Sequence, residues 1–113
     1  MYTLIKIISF LIILLGIFHI SFALPLQMDT DSLWFVGTGM GIIFSGLLNL
    51  VAIDRGGSKF SKSVAMLVNT FNSGMFFYAL FILDEPQVYV GIGIFLIAAI
   101  ALLIDLFKRK QTI

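Results

Sequence analysis

Few side chains in this sequence could do chemistry. His19, Thr38, Asn49, Asn69, Asn72 and Ser73 are polar groups set inside otherwise apolar runs. An unpaired polar group costs free energy in hydrocarbon, so such residues face a protein interior or a watery path. An isolated histidine titrates at about 6.5, close to physiological pH, which is what a proton-linked switch requires of His19. The apolar runs give His19 no acidic relay partner, and a hydrogen bond to a backbone carbonyl or to Thr38 accounts for it more simply. Asn69 and Asn72 are three residues apart and share a helix face. The asparagines read first as interhelical glue, worth ~0.6–2 kcal/mol for each hydrogen bond. Their second reading is a ligand or ion site.

The remaining chemistry is narrow. There is no cysteine, which removes disulfides, thiol nucleophiles and iron–sulfur ligation. A single histidine cannot build a multi-histidine metal site within one chain. No carboxylate pair, metal set or activated nucleophile lies within the apolar runs. Gly37, Gly39 and Gly41 are not a dinucleotide fingerprint, because no strand precedes them. The sequence therefore predicts no catalytic residue, no metal, no cofactor and no enzyme activity. Nothing resembles a broad basic face, so nucleic acid is not an expected partner.

The elements that must hold these residues are membrane spans. The 113 residues are 60% hydrophobic and only 12% charged, with a mean hydropathy of +1.12. A soluble domain has roughly 45–50% apolar and about 25% charged residues. About 20 helical residues at ~1.5 Å each cross the ~30 Å hydrocarbon core. Four runs reach that length, and they predict helices over about 3–23, 33–53, 62–83 and 87–107. The first run resembles a signal peptide, with Lys6 near its start and Ser21-Phe22-Ala23 as a small-x-small site. Its apolar stretch is longer than a usual signal core, so a retained helix is expected.

The connections carry stop and start signals. Pro25 ends the first run, and Asp29, Thr30, Asp31 and Ser32 offer N-caps for the second. Gly56 and Gly57 end the second run, and Pro86 suits the first turn of the fourth. Short connections make an up-down-up-down antiparallel bundle the default: an all-α integral membrane protein with one domain, 1–113. Gly37, Gly41 and Ser45 form a small-xxx-small row, and Gly91 keeps the fourth helix slim, so these four residues are expected to pack helices closely. Ser9, Gly16 and Ala23 recur every seven residues and mark the inward side of the first helix.

Charge sets the expected orientation. If the spans alternate, Lys6, Arg55, Lys59, Lys62, Lys108, Arg109 and Lys110 all fall on one side. Asp29, Asp31, Asp84 and Glu85 fall on the other. The positive-inside rule then places both termini in the cytoplasm, and the small size, minimal loops and lack of an organelle address make a plasma (inner) membrane the expected one. Asp105 reads as a local partner of the basic tail. The lipid bilayer is the expected environment, and a homo-oligomer or a larger membrane protein is the expected partner. The leading functional reading is an accessory or structural subunit acting through helix packing. The alternatives are an oligomeric transporter or channel using His19 and the asparagines, and a binder of a lipid-like molecule.

Overall fold

The structure is a computed structural model that describes residues 1–25 and 28–111, with side chains as far as Lys108. The side chains of Arg109 and Lys110, part of the expected basic tail, lie outside the described residues. The chain is all-helical. Helices α1 (Tyr2–Ser21), α2 (Thr30–Ile53), α3 (Lys59–Ala79) and α4 (Pro86–Gln111) run in order, with one 3₁₀ turn at Asp54–Gly56. They form a rod of 53 × 26 × 20 Å.

Local chemistry sets the helix starts. Asp29 is the residue that caps α2, its carboxylate accepting from the Ser32 N–H at 2.8 Å. Helix α3 begins three residues before its expected start because Ser58 and Ser61 make a reciprocal capping box. The Ser61 N–H donates to Ser58 Oγ at 3.0 Å, and the Ser58 N–H donates to Ser61 Oγ at 3.2 Å. Helix α3 also ends early, at Ala79, where 80–82 continue as turns. Between α2 and α3 the backbone turns through positive φ at Arg55, Gly56 and Gly57. Gly57 has no substitute there. At φ +64° a Cβ would sit 1.8 Å from the Ala52 carbonyl oxygen.

Packing makes two tight hairpins, α1/α2 and α3/α4, joined by looser seams between α2 and α3 and between α1 and α4. In the first hairpin the backbones approach directly. A Cβ built on Gly39 would lie 2.9 Å from the Gly16 carbonyl oxygen, and one on Gly46 would lie 2.8 Å from that of Ser9. Ser9, Gly16 and Ala23 are all buried on the expected side of α1. In the second hairpin the Phe76 ring lies over Gly91, within 2.4 Å of where a Cβ would stand.

Within the chain, Gly37 and Gly41 do not carry the close helix contact of α2. Nothing lies within 4 Å of a Cβ at either position, so neither brings another helix of the chain close. The reason is helical phase. At ~100° per residue, a two-residue offset turns the Gly39/Gly46 stripe well away from Gly37 and Gly41. Ser45 is buried at the edge of the inward face.

One apolar cluster joins Ile5, Ala52, Ile53, Ala65, Ala101 and Leu102 near the basic end. A second joins Ile8, Ile12, Ile42, Phe95 and Ala98 farther along the rod. The outside of the bundle is also apolar. Leu14, Phe18, Phe44, Phe71, Phe77 and Tyr78 are more than half exposed. The buried polar residues are Ser9, Ser45, Asn49, Lys62, Asn69 and Ser73. Polar inside and apolar outside is the sorting that lipid favours. Three helices, α1, α2 and α4, are long and apolar enough to cross a membrane. Helix α3 has 21 residues, about 31 Å at ~1.5 Å each, but it carries Lys59, Lys62, Asn69 and Asn72.

Candidate functional site

The polar residues fall at three levels along the rod. At the basic end, the buried face of α3 presents Lys62, Ala65, Asn69 and Ser73, a stripe at helical spacing. Lys62 is only 2% exposed and forms an ion pair with Asp105 of α4, which is 20% exposed. The pair ties α3 to α4 beside the Ile5–Leu102 cluster. The Gly57 turn leaves room for the lysine stem, because a Cβ on Gly57 would come within 3.3 Å of Lys62 Cε.

The middle level is a seam of amides between α2 and α3. Asn69 Nδ2 donates to Asn49 Oδ1 at 2.6 Å, and Asn49 Nδ2 donates back to Asn69 Oδ1 at 3.2 Å. Asn69 Nδ2 also donates to the Ala65 carbonyl at 2.6 Å. One turn farther along, Asn72 Nδ2 donates to Ser45 Oγ at 2.6 Å, while Ser45 Oγ donates to the Gly41 carbonyl at 2.9 Å. Ser73 turns the other way and donates to the Ile92 carbonyl of α4 at 3.1 Å. Among the described residues, no buried side-chain nitrogen or oxygen lacks a partner. Each asparagine here is consumed by a neighbouring helix.

The acidic end is open. A cleft of about 360 Å³ separates the two hairpins there. His19 reaches it from α1, and Asp31, Trp34, Phe35 and Thr38 from α2. Met75, Phe76 and Ala79 line it from α3, Glu85 from the α3–α4 connection, and Gln87 and Val88 from the first turn of α4. His19 packs on Phe35 with ring centroids 5.2 Å apart and meets Phe22 edge-on at 6.5 Å. Phe76 stacks on the buried Phe95 at 5.7 Å, which fixes one wall of the cleft. The volume lies within the range of about 300–1,000 Å³ typical of small-ligand sites.

The structure thus brings His19 and Thr38 to one cavity and joins Asn49 with Asn69, and Asn72 with Ser45. It does not gather these six positions into one site. Sequence reasoning missed two parts. Asp105 forms an ion pair with Lys62 of another helix, while Arg109 and Lys110 of the tail lie outside the described side chains, and the signal was the Ser58 cap, which sets Lys62 one turn inside α3 instead of at its start. Of the α3 rings Phe71, Phe76, Phe77 and Tyr78, Phe76 is the one packed against the core. Its spacing of seven from Asn69 and three from Ser73 marks that face.

Among the described residues no group of three or more histidine, aspartate or glutamate side chains could hold a metal ion. No protein family, curated protein or solved structure matches the chain.

Proposed function

We propose that this chain is a four-span protein of the plasma membrane, with both termini cytoplasmic. It acts as an accessory or structural subunit by packing its apolar faces against a larger membrane protein or copies of itself. One observation carries the reading: the buried polar side chains are bonded to one another or to neighbouring backbone. Groups spent in this way hold helices together. A conduit lined by His19 and the asparagines would have to break the Asn49–Asn69 and Asn72–Ser45 bonds. The open flank of α2 at Gly37 and Gly41 supports the subunit reading, since a helix from another chain can approach closely there.

Native mass spectrometry on protein extracted gently from its own membrane tests the proposal. The expected result is a complex with a second polypeptide, or a multiple of the 12.5 kDa chain. A solitary chain under conditions that keep other complexes of the same membrane intact would overturn it.

A further inference from the structure

The cleft at the acidic end is a large feature that helix packing does not explain. Its walls are aromatic and its rim is anionic. Trp34, Phe35 and Phe76 supply three ring systems, and Asp31 and Glu85 supply two carboxylates. Three acids at this end have partners within the chain: Asp29 caps α2, Asp84 accepts from the Tyr89 hydroxyl at 2.9 Å, and Glu85 accepts from the Gln87 side-chain amide, which leaves its carboxylate charged and at the rim. None of the seven lysines and arginines of the sequence lies at this end. Two helices start here and two finish here, so their dipoles, about half a charge at each terminus, roughly cancel. The mouth of the cleft is therefore net negative.

We propose that this cleft binds a small amphipathic cation. An ammonium head sits between Asp31 and Glu85, and an aromatic or branched apolar body lies against Trp34, Phe35 and Phe76. Two physical terms favour this occupant over a neutral one. The carboxylates attract the charge, and the ring faces attract it again through their quadrupoles. An anionic occupant meets the carboxylates with no lysine or arginine to offset them. Asp31 and Asp29 also suit the start of α2 as helix-end charges. That role does not account for Asp31 of α2 and Glu85 of the α3–α4 connection both lining one aromatic cavity.

Trp34 is the sole tryptophan of the chain, so its emission reports directly on the cleft. The experiment titrates benzyltrimethylammonium into the full chain held in nanodiscs of phosphatidylcholine, whose lipid carries no net charge. Neopentylbenzene, the carbon isostere without the charge, is the control ligand. The expected result is a saturable change in Trp34 emission with the cation. In the double variant Asp31→Asn/Glu85→Gln the binding weakens by about tenfold or more. Both acids are exposed, so the variant is expected to keep the wild-type helical circular dichroism. Asp54→Asn, at the other end of the rod, is expected to leave the titration unchanged. Three results would each overturn the proposal: no saturable response in the wild type, equal response to neopentylbenzene, or unchanged affinity in the double variant. The first is the behaviour of a cleft filled by lipid chains.

Discussion

A buried ammonium is tolerable only while a charged partner stays within reach. Lys62 is almost wholly enclosed, whereas Asp105 keeps a fifth of its surface exposed. The two removals should therefore differ. Asp105→Leu leaves the more deeply buried charge uncompensated and is expected to lower stability by about 3–5 kcal/mol. Lys62→Met leaves a carboxylate that can still reach water, and is expected to cost less. The double variant Lys62→Met/Asp105→Leu should be more stable than Asp105→Leu alone, because well-packed apolar groups replace a buried pair at little net cost. Unfolding in mixed detergent micelles measures all three. A double variant no better than Asp105→Leu would show that the pair is not the linkage described.

Other residues were easier to read. Polar amides inside apolar runs read first as interhelical glue, and Asn49 and Asn69 bond reciprocally between α2 and α3. Lys62 was harder because its neighbours Arg55 and Lys59 make the region look like a basic loop. A capping box between two serines decides otherwise, and such a box is visible only as a weak pattern.

At the scale of the helix, glycine phase decides which faces meet. Gly39 and Gly46 press on α1, while Gly37 and Gly41 have open space where a Cβ would stand. Gly39→Ala should push its methyl against the Gly16 backbone and cost about 1–3 kcal/mol. Gly41→Ala has open space and removes a flexible residue from a helix interior, so it should stabilise the monomer by roughly 0.5–1 kcal/mol. Thermal unfolding of the monomeric variants gives both signs. Equal losses at the two positions would mean that α2 is rotated from the orientation described. Spacing rules found the row Gly37, Gly41, Ser45, but two small-residue rows coexist on α2. Only the partner row on α1, Ser9 and Gly16, selects between them. The tight α1/α2 contact was thus half legible, in the heptad of α1.

Over the whole molecule, charge and polarity are sorted along the rod. The basic residues gather at one end, the acidic loops at the other, and paired polar groups fill the lower interior. Four helices were legible because each apolar run is long and each break has glycine, proline or a capping residue. The cleft was not legible, since it arises from how far two hairpins diverge, which no local pattern records. Helix α3 is where the account is most exposed. It keeps Lys62 and Asn69 inside the bundle, and it must cross the bilayer if four spans are to bring both termini to one side. Reporters that act only in the cytoplasm, fused before Met1 in one version and after Ile113 in another, test this directly. The account predicts activity from both fusions. Activity from one and silence from the other, in proteins expressed equally well, would mean an odd number of crossings and would contradict the four-span bundle.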